Sequence, residues 1–147
     1  MNANGRKTAL ITGASRGLGL ALARVLADRE WHLIIDGRGG EALRRAASEL
    51  EKGTRVWAIQ GDINDPGHRQ QLAKAAEEIG GLDLIVNNAS ILGPSPQPAL
   101  LAYPLETLID VYQINVIAPL GLLQAVQGLF KPGIRVINVT SDAGVEA

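Results

Sequence analysis

The 147 residues amount to one domain's worth of chain, enough to bury about two thirds of its unfolded surface. A formal net charge of -1, from 14 Lys+Arg against 15 Asp+Glu, provides no basic field for nucleic acid or an anionic membrane. With no cysteine, disulfides, thiolate metal sites and thiol nucleophiles are excluded, and no metal site is expected. Aromatic residues are 3% of the chain against 46% hydrophobic, so the core must be built from Leu, Ile, Val and Ala.

The opening residues Met1 to Lys7 lack the apolar stretch of a signal peptide, and a cytoplasmic location is expected. They run into Ala9-Leu10-Ile11, the first strand. Leu18, Ala21, Leu22, Val25 and Leu26 follow at helical spacing and predict one buried stripe. Leu33-Ile34-Ile35 is the second strand. Leu43, Ala46, Ala47 and Leu50 repeat the helical spacing, with Gly53 read as a left-handed cap. Val56-Trp57-Ala58-Ile59 is the third strand. Asp65-Pro66 opens the next helix, as N-cap and first-turn proline, and Leu72, Ala75, Ala76 and Ile79 form its stripe before Gly80-Gly81.

Leu84-Ile85-Val86 is the fourth strand. A long helix then runs from about Leu105 to Phe130, bent at Pro119. Its apolar stretch, Ile114 to Val126, is interrupted by Asn115, Pro119 and Gln124 and is short for a membrane span. Val136-Ile137 with Val139 makes the fifth strand, ending in Thr140-Ser141-Asp142-Ala143-Gly144. Each strand is apolar on successive residues, which predicts burial of both faces. The expected fold is α/β: a doubly wound parallel sheet of about five strands, helices on both faces, in a single domain over residues 1–147.

After the first strand comes Thr12-Gly13-Ala14-Ser15-Arg16-Gly17-Leu18-Gly19, opening a helix. Free amides in a helix's first turn, at the positive end of its dipole, suit a phosphate group. Gly13 lets the chain turn, Gly17 lets a diphosphate approach, and Gly19 lets the helix pack on the sheet. No Gly-Lys-Ser/Thr ending is present, which disfavours a nucleoside triphosphatase loop.

The spacing Thr-Gly-x-x-x-Gly-x-Gly resembles the cofactor fingerprint of the short-chain dehydrogenase/reductase family. Other marks of that family follow in order: Asp62 in Gly61-Asp62-Ile63, Asn87-Asn88-Ala89-Ser90 in place of Asn-Asn-Ala-Gly, Asn115 in the long helix, and Ser141 after the fifth strand. The resemblance spans essentially the whole chain and implies a Rossmann-like fold. It implies cofactor contacts from Gly13, Ser15, Arg16, Gly17, Leu18 and Gly19 on the turn, then from Arg38, Asp62, Ile63, Asn88 and Ala89. The Ser for Gly exchange at Ser90 bears on how closely a nicotinamide ribose can approach.

In the family a carboxylate at the end of the second strand selects NAD. Here the discriminating position aligns with Gly37 rather than Asp36, and Arg38 follows, with Arg16 opposite on the turn. Two guanidiniums that can fork onto one phosphate favour NADP(H), with NAD(H) as the alternative should Asp36 take that place.

The resemblance further implies hydride transfer between nicotinamide and a small carbonyl or alcohol. Ser141 would hold the substrate oxygen and Asn115 would anchor a water relay. The family's Tyr-x-x-x-Lys would lie beyond Ser141, and the sequence ends at Ala147. Tyr103 and Tyr112 are not followed by Lys at that spacing, and Tyr112 reads as packing. His32 and His68 read as structural, with no Ser or Asp pattern recruiting either. The chain is therefore expected to be a truncated version of a longer enzyme, inactive by itself and a homo-oligomer (dimer or tetramer) when complete. Without the family's later strands, the one ending at Val139 would be an edge, and the long helix would lose cover. The competing readings are a non-catalytic dinucleotide-binding or redox-sensing module and, disfavoured by the motifs, an S-adenosylmethionine methyltransferase. The Pro-rich loop Leu92 to Pro98 is the only visible hint of a substrate pocket.

Overall fold

The computed structural model describes residues 5–141; Asp142 to Gly144 of the expected strand ending lie outside them. Five strands, β1 (Thr8–Ile11), β2 (His32–Gly37), β3 (Val56–Gln60), β4 (Leu82–Asn87) and β5 (Phe130–Asn138), form one sheet in the order β3-β2-β1-β4-β5. Every pairing is parallel. The helices are α1 (Gly17–Ala27), α2 (Gly40–Leu50), α3 (Pro66–Ile79), α4 (Leu105–Tyr112) and α5 (Ala118–Val126).

Side chains alternate across the sheet and create two cores. Ala9, Ile11, Leu33 and Ile35 pack with Ala23, Leu26, Leu43 and Leu50 of α1 and α2. Leu10, Ile34 and Ile85 pack on the other face with Leu72, Ala76 and Ile79 of α3 and Leu122 of α5. This is the doubly wound sheet that the successive apolar runs required.

Burial of both strand faces holds for β1, β2 and β4 only. The strands at the two ends of the sheet are partly open: Val136 and Ile137 of β5, and Val139 just after it, are each at least 40% exposed. The stripe of α1 is also turned from its expected phase. Gly19, Ala23, Leu26 and Ala27 are buried, whereas Leu18 and Val25 are exposed. Gly19 decides this, because a Cβ there would lie 2.6 Å from both the Asn88 side-chain nitrogen and the Gly13 carbonyl oxygen. Only glycine lets the helix approach along that edge.

Asp65 caps α3 by accepting from the Gly67 amide, with Pro66 in the first turn, and Gly80 closes it in the left-handed region. Gly53 does no such work: α2 ends at Leu50 with Glu51 right-handed, and Gly53 is not at positive φ.

The long helix is widened just before Pro119. Proline brings no N–H to the carbonyl four residues back, that of Asn115, and Gln113–Ile117 opens into a π turn in which the Ala118 amide reaches the Gln113 carbonyl. A short 3-10 turn, Gln127–Leu129, then leads into β5, so Phe130 begins a strand rather than ending a helix. The whole run Leu105–Leu129 is 25 residues, long and apolar enough to cross a membrane by length and composition alone. Ala118, Leu122 and Val126 of this run are buried on the sheet, while Leu105, Ile109, Tyr112, Val116, Ile117 and Leu120 are exposed. Tyr112 is thus mostly exposed among the described residues rather than part of their core.

Candidate dinucleotide-binding site

The strand order reverses between β1 and β4, and the carboxyl ends of the strands open there into a cleft of about 500 Å³. A crevice at this topological switch point is where open α/β sheets hold ligands. The cleft draws Gly13, Ser15, Arg16 and Gly17 from the turn after β1, Arg38 from after β2, Asp62 and Ile63 from after β3, and Asn88 to Ile91 from after β4.

The turn after β1 is built from inside. Gly13 has φ 65, and a Cβ on it would stand 3.0 Å from the Ala89 Cα, so the β4 loop is pressed against it. Its amide donates to the Asp36 side-chain Oδ1 at 2.6 Å, and the Ala14 amide donates to the Asp36 carbonyl at 3.0 Å. Two donors of the turn are therefore spent within the protein. The amides of Ser15, Arg16, Gly17, Leu18 and Gly19 make no main-chain hydrogen bond among the described residues. Nothing stands within 4 Å of the place a Gly17 Cβ would occupy, and its φ is 57. Open space at Gly17 therefore lies beside amides without main-chain partners at the start of α1, which is what an anion site needs.

Asn88 works mainly as a fastener. Its Nδ2 donates to the carbonyls of Thr12 (3.0 Å) and Gly13 (3.1 Å). Thr12 Oγ1 accepts from the amides of Asn88 and Ala89, and Asn87 Nδ2 donates to Asn138 Oδ1 at 2.8 Å, tying β4 to β5. Asp62 is exposed and turns the chain by accepting from the Asn64 amide, while Ile63 is buried.

At the end of β2, Asp36 is almost wholly buried and both its carboxylate oxygens are engaged, one by Gly13 and the other by His68 Nε2 at 2.8 Å. His68 is therefore recruited by an aspartate after all, one that lies 32 residues away in sequence. Gly37 brings no side chain to the cleft, and a Cβ there would come 3.0 Å from Ser15 Oγ. Arg16 and Arg38 are exposed on the cleft wall, and neither has an ion-pair partner among the described residues.

Asn115, in the π turn, points back to the β4 loop, where its Nδ2 donates to the Ile91 carbonyl and its Oδ1 accepts from the Ile91 amide. Ser141 follows β5 at the same carboxyl edge and is exposed. The cleft is bordered by Ser90, Ile91 and Ile114; the loop from Leu92 to Pro98 does not line it.

Residues 7–147 match the family model described as short chain dehydrogenase. The chain belongs to the short-chain dehydrogenase family. It is similar to the 1-deoxy-11-beta-hydroxypentalenate dehydrogenase of Streptomyces arenae, 40% identical over 111 residues, covering 74% of this chain and 39% of that protein. Among solved structures it resembles a blue fluorescent protein from a metagenomic library in complex with NADPH, at a TM-score of 0.85 and 34% identity, covering 99% of this chain and 60% of that one. It also resembles an NAD+-bound xylitol dehydrogenase, at a TM-score of 0.86 and 27% identity, covering 96% and 55%. The chain spans about half the length of the curated relatives it matches, between 39% and 57% for those compared.

Within this short-chain dehydrogenase fold, sequence reasoning missed Thr12 and His68 as parts of the site and weighed Asp36 only as an alternative cofactor-selecting residue. Thr12 stood inside the quoted motif and was legible in principle. The pairing of Asp36 with His68 had no sequence signal, since it joins two elements only through the sheet.

Proposed function

We propose that residues 1–147 form one dinucleotide-binding domain of an NADP(H)-dependent oxidoreductase acting on a small carbonyl or alcohol. The observation that carries this reading is the set of unspent amides from Ser15 to Gly19, open onto a cleft whose wall bears Arg16 and Arg38. The residues present fit such a group: donors for a diphosphate at a helix start, space over Gly17, and no side chain at Gly37.

Ser15, Gly17, Leu18 and Gly19 would hold the diphosphate, and Arg16 and Arg38 the 2′-phosphate. Asp62 and Ile63 would border the adenine, and the Asn88-Ala89 backbone the nicotinamide ribose. Gly13 shapes the turn without donating to the ligand. When bound, the nicotinamide supplies or accepts a hydride. Ser141 would receive the substrate oxygen, and Asn115 holds the β4 loop beside it. Both oxygens of the Asp36 carboxylate are taken, by Gly13 and His68, so neither is free to bond a ribose 2′-hydroxyl at the end of β2 as an NAD-selecting carboxylate does, which favours NADP(H).

Since no Tyr-x-x-x-Lys is present among the 147 residues, they would bind cofactor without turning it over. A neutral phenol ionises only near pH 10, so a cation beside it is what such chemistry requires. A cytoplasmic protein working on small molecules, neither on nucleic acid nor in a membrane, accompanies this reading. The exposed apolar face of α4 and α5 suits assembly with further copies.

Calorimetric titration of the full-length protein with NADPH and NADH tests the proposal. Tighter binding of NADPH is expected. Binding of neither defeats the reading, and tighter binding of NADH defeats its NADP(H) part.

A further inference from the structure

The structure assigns to His68 a positioning role in the dinucleotide site, exerted through the charge of Asp36; the inference builds on the cofactor reading above. Alternation along β2 turns Asp36 to the same face as Ile34, toward α3 and away from α1 and α2. There its Oδ2 meets His68 Nε2 at 2.8 Å while Oδ1 accepts the Gly13 amide at 2.6 Å. The two side chains are 3% and 2% exposed.

A carboxylate bonded directly to the turn that receives a diphosphate sets two negative groups against each other, and burial strengthens their repulsion. Apart from Arg16 and Arg38, exposed on the cleft wall, little else can offset it. Among the elements packed on α3, β3, α5 and the turn Gln127–Leu129 contain no ionisable side chain, and the remaining ionisable group of β2, His32, is at the far end of that strand. On the loop before α3, Asp62 and Asp65 accept from the Asn64 and Gly67 amides. Arg69, next along the helix, donates to the Ile63 and Asn64 carbonyls, and Lys74, Glu77 and Glu78 lie more than a turn further on. His68 alone among them bonds the carboxylate.

Packing does not explain the residue. His68 Nδ1 is buried without a hydrogen-bond partner, which an aliphatic side chain would avoid. The ring also occupies the place where a Cβ on Gly61 would stand, so a residue lining the cleft must be glycine to admit it. The one polar contact of the ring among the described residues is Asp36. By donating to Oδ2 it draws charge away from Oδ1 and holds the carboxylate in the orientation that sets Gly13, leaving the neighbouring amides to the ligand.

The test measures NADPH affinity in the full-length protein and three variants. His68→Leu is expected to bind about tenfold more weakly, equivalent to 1.4 kcal/mol. Adding Asp36→Asn to it should restore affinity to within about threefold of wild type, because the uncompensated charge has been removed. Asp36→Asn alone, folded whatever the fate of His68→Leu, should bind at least as tightly as wild type. Undiminished binding by His68→Leu, no rescue by Asp36→Asn, or weaker binding by Asp36→Asn alone each overturns the inference and leaves the cofactor reading intact. A wild-type protein that binds neither NADPH nor NADH overturns both.

Discussion

The carboxamide of Asn115 closes on the main chain of Ile91 from both sides, donating to its carbonyl at 2.8 Å and accepting from its amide at 2.9 Å. The clamp joins the loop after β4 to the π turn that Pro119 imposes on the long helix, and both partners flank residues that line the cleft. Asn115→Ala removes two hydrogen bonds and should cost about 1–3 kcal/mol of stability in urea unfolding. Asn115→Asp should be no better, since a carboxylate faces the Ile91 carbonyl without a proton to donate. A change under about 0.5 kcal/mol for either would show that the clamp holds nothing.

Gly17 and Gly19 separate two reasons for glycine in one motif. At Gly17 a Cβ meets open space but φ is 57, so Gly17→Ala should cost about 1–2 kcal/mol and obstruct the ligand. At Gly19 a Cβ collides with Asn88 and the Gly13 carbonyl, so Gly19→Ala should destabilise the fold by more than Gly17→Ala does. Thermal unfolding of both variants without cofactor decides the order, and the reverse order contradicts the packing described for α1.

Arg38 has no ion-pair partner among the described residues and lines the cleft. A charge-assisted hydrogen bond to a phosphate contributes about 1.5–3 kcal/mol. Arg38→Ala should therefore lower NADPH affinity by about tenfold or more while leaving NADH within about threefold. Equal loss for both cofactors would move the 2′-phosphate away from this side chain.

Burial, reinforced by the cations Arg6, Arg55 and Lys131, holds the His32 imidazole below its usual range. Its Nδ1 is buried without a partner, so a second proton finds no acceptor there. The native state therefore binds fewer protons than the unfolded chain at this site. The stability it contributes is present above the unfolded value of about 6.5 and is lost as pH falls through the lower native value. Between pH 8 and pH 5, the urea midpoint of His32→Val should fall less than that of wild type. Parallel slopes would remove His32 from the acid response.

Much of this was readable along the chain. The apolar runs at Ala9-Ile11, Leu33-Ile35 and Leu84-Val86 marked strands buried on both faces, and the stripes of α2 and α3 are the ones observed. Of the turn before α1, the turn at Gly13, the open space at Gly17 and the close packing at Gly19 were all legible, but the Gly13 amide, on a residue expected to contact the cofactor, is consumed by Asp36. Leu18 and Val25 were misread because helical spacing defines a stripe only to within a residue, and a close contact at Gly19 outweighed it.

Local pattern, then, was enough for the strand and helix sequence, the parallel winding and the place of the glycine turn before α1, because each depends on neighbours a few residues apart. The edge position of β5 was also expected, but that β3 forms the other edge, which amides lack a main-chain partner, and that Asp36 answers to His68 depended on assembling the sheet. Hydrogen bonds between residues 32 or 76 positions apart carry no periodicity and leave no trace in the order of amino acids.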